Sequence, residues 1–465
     1  MTELEAALVR FLPRQRWFAG KGRAVVEVRT EASVPLRTPL PSLHLTVVEV
    51  AFADGGQDRY SLPVGYDRGP EARQLAAAHP DAVILETTPP RAGVHYDVVA
   101  DGRLGAVFLD LIAKAATVEE LRFHRQPEWS DSLRGPGRPL ATEQSNTSLV
   151  FGDRLILKLF RRLQPGVNPE LELTRALVAQ GFKACPPPLG WAEGLGSTLA
   201  ILQPYYAGSV EGWKLATDRS KDFLGSGAAA DNFAAEAREL GGLTAEMHAA
   251  LAGALPVVAH AEPDLGAHSR LLGQLSQVAG AVSELAPYKQ AIEAVYARAQ
   301  AAGGARYLQR IHGDYHLGQV LRSGHDWVVL DWEGEPARSL EERRRLASPL
   351  RDVAGMLRSF DYAAFQPLLN DDSEVARSSA QSGGGPPSVS TKEVDPNAWV
   401  EANRTAFLDG YTGRAADAGW LQEGYELLLR TYELDKAVYE VMYEARFRPG
   451  WLGIPLGGIR RLLGS

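Results

Sequence analysis

The chain has 465 residues, a net charge of −8 and a pI near 5.8. That length allows two or three domains with sizeable cores, and the acidic balance offers no general basic field for nucleic acid or anionic lipid. A single cysteine, Cys185, excludes an internal disulfide; with no apolar run of ~18 residues and no secretory signal in view, a cytoplasmic protein without membrane attachment is expected.

Residues 1–12 read as a short amphipathic helix, with Leu4, Leu8 and Leu12 at helical spacing. A basic and aromatic segment follows, containing Arg14, Arg16, Trp17, Phe18, Lys21 and Arg23. Short strand-like runs cover residues 24–29, 43–52 and 59–64, the last two joined by the turn Asp54-Gly55-Gly56. Residues 81–112 continue as strand-like pieces and turns, and residues 1–90 form a small β-rich N-terminal module. A second hairpin pairs residues 149–151 with 154–160 around Gly152-Asp153. Asn168-Pro169-Glu170 then opens a helix that runs to about Gln180: asparagine caps it, proline is first, and an acid sits in the first turn. Pro186-Pro187-Pro188 forces an extended segment, and residues 198–206 form a strand ending at Gln203-Pro204-Tyr205-Tyr206. The remainder is mainly helical; within residues 230–252, Leu240, Leu243, Met247 and Leu251 share one stripe. Residues 372–396, acidic and serine-rich, read as a disordered insertion.

The run His312-Gly313-Asp314-Tyr315-His316-Leu317-Gly318-Gln319 carries the strongest chemical signal. Asp331 follows it, closing the apolar run Trp327-Val328-Val329-Leu330. An acid on a loop, an amide five residues on, and a strand ending in a second acid match the layout of a kinase base and two magnesium ligands. Asp314 is the candidate base; Gln319 and Asp331 are the candidate metal ligands. His312 reads as a brace for the loop, and His316 is left open between bracing and other roles. Glu333 is either a supporting acid or solvated. Arg351, in the first turn of a helix opened by Ser348-Pro349, either pairs with a nearby acid or holds the Asp331 loop. Glu341-Glu342-Arg343-Arg344-Arg345 reads as a solvated helix face.

Lys158 sits among aliphatics in residues 155–160, facing either solvent or a site. The strand follows a polar turn and precedes a helix bearing Glu170 and Glu172, which suits a lysine that pairs an acid and binds ATP phosphates. Glu172 is the expected partner, with Glu170 left to complement the helix dipole. The turn Glu143-Gln144-Ser145-Asn146-Thr147-Ser148 lacks the glycines of a kinase loop; it is either a phosphate cover, through hydroxyls and backbone N–H groups, or a plain polar turn. Gln203 and Tyr205 are further candidates for holding the nucleotide. Near the C-terminus Tyr432, Lys436, Tyr439 and Tyr443 fall on one helix face. Such a stripe either packs on a core or offers flat rings and a polar head to a sugar.

Together these segments resemble the bacterial maltokinases, within the wider aminoglycoside-phosphotransferase and choline-kinase group of protein-kinase-like folds. The resemblance rests on Arg14-Gln15-Arg16-Trp17-Phe18, Gln144 to Ser148, Leu155 to Asn168, His312 to Gln319, Asp331 to Pro336 and Ser348 to Ala363. It continues through Glu433 to Glu440, Tyr443 to Arg446, and Trp451 to Leu456. It implies an α+β, bilobal, protein-kinase-like fold: an N-terminal cap subdomain over residues 1–90, an intermediate subdomain over 91–203 completing the N-lobe, and a helical C-lobe over 204–465. The implied reaction is ATP- and Mg2+-dependent phosphorylation of maltose at its anomeric hydroxyl, for α-glucan synthesis. A monomer is expected, with a trehalose-to-maltose isomerase as the natural supplier. Two departures stand out: Gln319 replaces the asparagine of many relatives, and the phosphate loop has no glycines. A related kinase for glucosamine or another monosaccharide shares the ATP motifs, and a non-catalytic glycan-binding member of the fold is the reading from another class.

Overall fold

The computed structural model describes residues 2–88, 92–127, 129, 135–140, 145–226, 228–259, 265–335, 338–379, 394–415, 420–421 and 423–464. The chain forms two compact units, one of residues 1–175 and 186–208, the other of residues 176–185 and 209–465. The first is β-rich and the second mainly helical, so the α+β expectation holds.

In the first unit a capping box of Thr2 and Glu5 starts the helix Glu3–Phe11. Leu8 and Phe11 on that helix, with Trp17 and Phe18 after it, pack against Val48, Val50 and Tyr60 of a six-stranded antiparallel sheet. Arg161 is fully buried there. It bonds Asp97 at 2.7 Å and lies 4.6 Å over the Trp17 ring, which ties the basic and aromatic segment to the buried guanidinium. A seven-stranded sheet contains the hairpin Thr147–Phe151 and Leu155–Leu159. Gly152 (φ 53°) and Asp153 (φ 49°) supply the two left-handed residues of a type I′ turn, closed by Arg154 N–H to Phe151 C=O at 3.1 Å. This fixes a register in which Lys158 opposes Ser148 on one side and Ile201 on the other.

Residues 81–112 differ from expectation. Strands Val83–Thr87 and Gly93–Asp97 are present, but Asp101 caps a helix, Gly102–Ala113, whose Leu104, Phe108 and Ile112 enter the core. A short apolar run carries little periodicity, so helix and strand look alike there. The helix opened by Asn168 spans Pro169–Ala179, and the Asn168 side chain accepts from Glu170 N–H at 2.8 Å.

In the second unit the helices Ala234–Ala254 and Pro396–Ala415 cross at glycines. A Cβ on Gly241 would fall 2.0 Å from the Phe407 carbonyl, and one on Gly410 would fall 2.1 Å from that of Arg238. The helix Tyr425–Phe447 buries Leu434, Val438 and Val441 against Leu275, Ile292 and Val295. Part of the segment read as a disordered insertion is helical instead: the helix Leu350–Ser379 runs through residues 372–379, and Pro396 opens the next. Glu374, Ala376 and Arg377 are good helix formers that extend a helix already nucleated. Residues 380–393 lie outside the described residues.

Candidate active site

The loop around Asp314 hangs from one buried carboxylate. Asp352, in the first turn of Leu350–Ser379 and 1% exposed, accepts from His312 N–H at 2.8 Å, Gly313 N–H at 2.9 Å and His248 Nε2 at 3.2 Å. Burial alone would raise its pKa, but the His248 hydrogen bond, the neighbouring histidines and the Gly313 N–H hold it below the ordinary value. His312 does brace the loop. Its Nε2–H donates to Leu330 C=O at 2.8 Å, leaving Nδ1 to accept from Asp314 N–H at 3.3 Å, and its ring lies 4.9 Å from the buried Trp332. His316 accepts from Gly318 N–H at 3.0 Å. Burial holds its imidazole below the usual value, against the pull of Asp314.

Asp331 follows the strand Asp326–Val329 and takes φ 57°, a left-handed conformation costing a non-glycine residue about 1–3 kcal/mol. Gln319 Nε2 donates to its carboxylate at 3.2 Å. Oxygens of Asp331 and Glu333 also come within 4.8 Å of each other. The two carboxylates offer hard oxygens of the kind that suits magnesium, and the Gln319 amide meets that of Asp331 through its Nε2. Glu333 is tied to Arg343: the guanidinium donates to its carbonyl at 2.9 Å and lies 3.9 Å from its carboxylate. Arg343 therefore departs from the solvated face expected for residues 341–345; its side chain is only 10% exposed because it turns inward to this loop.

A pocket beside Asp314 is lined by Tyr432, Lys436 and Tyr439 of the tail helix, with Arg351 and Asp435. Lys436 Nζ is 3.9 Å from Asp314 Oδ1. Arg351 meets Asp435 at 3.7 Å and lies over the Tyr432 ring, rather than holding the Asp331 loop. Burial pushes the Asp435 carboxyl up, against Arg351, Arg338 and Lys436. The Tyr439 hydroxyl bonds Glu335, and burial followed by nearby acids pushes it up to about 12. Tyr443 does not line the pocket; it stands one turn further along, 41% exposed. The acids between these rings turn inward. Glu433 pairs with Arg404, Glu440 with Arg358, and Glu444 with Tyr362 and Arg448, so they clamp the helix.

In the first unit Lys158 is buried, and its Nζ lies 2.7 Å from Glu170 Oε2. The acid is thus Glu170 rather than Glu172. Two residues on a helix point about 200° apart, and the strand–helix geometry turns the 3%-exposed Glu170 toward the lysine, leaving Glu172 half-buried on another side. Ser148, opposite Lys158, is buried. Thr147 Oγ1 accepts from Arg161 Nε at 2.7 Å. Asn146 is buried and bonds Ser145 Oγ at 3.3 Å; Glu143 and Gln144 lie outside the described residues. Gln203 Nε2 donates to Pro186 C=O at 3.3 Å, and Tyr205 is placed by its N–H bond to Arg154 C=O. Glu170→Gln is expected to lower kcat/KM for ATP by about 10²-fold, with Glu172→Gln within about threefold of wild type. Equal effects in steady-state assays would refute the assignment.

Residues 11–101 match the maltokinase N-terminal cap domain, and residues 136–387 match the phosphotransferase enzyme family. A glucosamine kinase of Streptacidiphilus jiangxiensis is 31% identical over 336 residues, covering 68% of this chain and 71% of that protein. Another, of Mycolicibacterium smegmatis, is 28% identical over 419 residues, covering 85% and 97%. A solved glucosamine kinase in complex with glucosamine, ADP and inorganic phosphate superposes with a TM-score of 0.69 at 23% identity, covering 98% of this chain and 99% of the other, which shows the fold. No helix among the described residues is long and apolar enough to cross a membrane. With its kinase-like fold and its match over residues 136–387, the chain belongs to the phosphotransferase enzyme family and carries a maltokinase N-terminal cap domain.

Proposed function

We propose that the protein is a maltokinase, moving the γ-phosphoryl group of ATP to the anomeric hydroxyl of maltose to give maltose 1-phosphate and ADP. Asp314 orients that hydroxyl and accepts its proton as the P–O bond forms. The anomeric hydroxyl is more acidic than an ordinary alcohol, so positioning and charge neutralisation carry most of the acceleration. Magnesium, when held by Gln319 and Asp331, neutralises charge on the phosphate oxygens. Lys158, fixed by Glu170, binds the α/β-phosphates. Lys436 meets the sugar beside Asp314, and Tyr432 and Tyr439 offer ring faces. A cytoplasmic monomer, supplied with maltose by a trehalose isomerase and feeding α-glucan synthesis, fits this reading.

The relatives named as glucosamine kinases favour a second reading, an amino-sugar kinase. The observation that favours maltose is the charge state of the pocket. Its four lining carboxylates already face partners: Asp314 has Lys436, Glu335 has Arg338 at 2.7 Å, Asp435 has Arg351, and Asp352 has two backbone N–H groups and His248. A carboxylate that already has a partner attracts an added ammonium less strongly than a free one would, whereas a neutral sugar needs no free anion. An acceptor screen with ATP and Mg2+ over maltose, glucose and glucosamine tests this. Maltose is expected to give the highest kcat/KM, by at least about tenfold; a preference for glucosamine would establish the second reading.

A further inference from the structure

A strip of aromatic rings leaves the acceptor pocket along the tail helix. Lys436 Nζ, 3.9 Å from Asp314, is 5.5 Å from the Tyr439 ring centroid. Tyr439 and Tyr443 lie 6.4 Å apart with planes at 26°, and Tyr443 lies 5.0 Å from Phe447. These rings recur every four residues, one per turn on one helix face. They are 38%, 41% and 64% exposed, although the same helix buries Glu433, Glu440 and Glu444. Packing alone would place rings inward and acids outward. Arg448 flanks the strip, its guanidinium 5.3 Å over Tyr443 and 4.4 Å over Trp451.

We propose that this strip is an extended α-glucan subsite, so that maltooligosaccharides are acceptors as well as maltose. The inference rests on the maltose reading and deepens it. The reducing end sits at Asp314 and Lys436, the next glucosyl ring lies over Tyr439, and further rings lie over Tyr443 and Phe447. A disaccharide does not reach Phe447, so that ring has work only with a longer chain. The strip is continuous with the acceptor pocket. Its exposed flat faces match the apolar faces of glucosyl rings, and Arg448 offers N–H donors to their hydroxyls. The transfer is unchanged: the bond from the γ-phosphorus to the bridging oxygen of ADP breaks, the bond to the anomeric oxygen forms, and the anomeric proton passes to Asp314 and then to solvent.

The test uses the full chain with ATP, Mg2+ and maltose, maltotetraose or cellotetraose. Maltotetraose is expected to be phosphorylated at its reducing end with a KM about tenfold below that of maltose, and cellotetraose to show no such gain. Phe447→Ala should leave maltose kinetics unchanged and remove the advantage of maltotetraose. Turnover of maltose with no gain for maltotetraose, or equal losses for both acceptors in Phe447→Ala, would overturn the subsite, leave the maltose reading standing, and point to a protein partner on the strip. Failure of maltose itself while glucosamine turns over would overturn both.

Discussion

Asp314→Ala is expected to lower kcat/KM for the acceptor by at least ~10³-fold while the protein stays folded, a scale set by losing a central catalytic group. The fold does not lean on this carboxylate. The loop is held by the backbone N–H groups of His312 and Gly313 on Asp352, by His312 on Leu330, and by Asp314 N–H on His312 Nδ1; alanine keeps all four bonds. The Asp314 side chain itself is 21% exposed and faces Lys436. Asp314→Asn separates orientation from proton acceptance. It keeps a hydrogen-bond acceptor at the same place but cannot take the proton, so it should retain more activity than Ala if orientation dominates for an acidic anomeric hydroxyl. Steady-state kinetics with a thermal melt of each variant decide the matter. Turnover of Asp314→Ala within about tenfold of wild type would remove Asp314 from the chemistry.

Features set by neighbours in sequence were legible, and those set by distant partners were not. The turn Gly152-Asp153 and the cap Asn168-Pro169 are local devices, and both stand where their chemistry put them. The acid–amide–acid spacing from Asp314 to Asp331 is local, lying within one loop and the hairpin of Val320–Ser323 and Asp326–Val329 that follows it. Glu170 and Glu172 could not be told apart by spacing. The dipole argument assigned Glu170 to the helix terminus, yet a buried lysine 12 residues earlier is the stronger claim on it. The partners of the tail-helix acids are remote in sequence, beyond the reach of any spacing: Arg404 is 29 residues from Glu433, and Arg358 is 82 from Glu440. By sequence alone Asp352 is one more acid in the first helical turn after Ser348-Pro349. Only the fold brings the His312 loop, 40 residues away, onto it.

Asp352 carries the second large effect. Its carboxylate joins the catalytic loop to the helix Leu350–Ser379, and His248 carries the link on, its Nδ1 lying 3.0 Å from the Tyr411 hydroxyl. Asp352→Ala strands the buried His312 N–H, the part-buried Gly313 N–H and a histidine. Each unsatisfied group costs about 1–3 kcal/mol, so a loss on the order of 3–5 kcal/mol is expected, a large share of the usual 5–15 kcal/mol of a folded protein. Asp352→Asn keeps the size and one acceptor oxygen, so it should fold and yet fall at least ~10-fold in kcat, because the loop that aims Asp314 is loosened while ATP contacts are untouched. The pH dependence separates a charge effect from one of shape. The folded state holds the Asp352 carboxyl below its ordinary value, so the ionised form is the one folding selects. Its contribution is complete above about pH 4 and is lost as pH falls through the lower folded value. The stability gap between wild type and Asp352→Asn, measured by urea titration, should therefore be widest near neutrality and narrow toward about pH 3. A gap that is constant over that range would mean that the shape of residue 352, and not its charge, holds the loop.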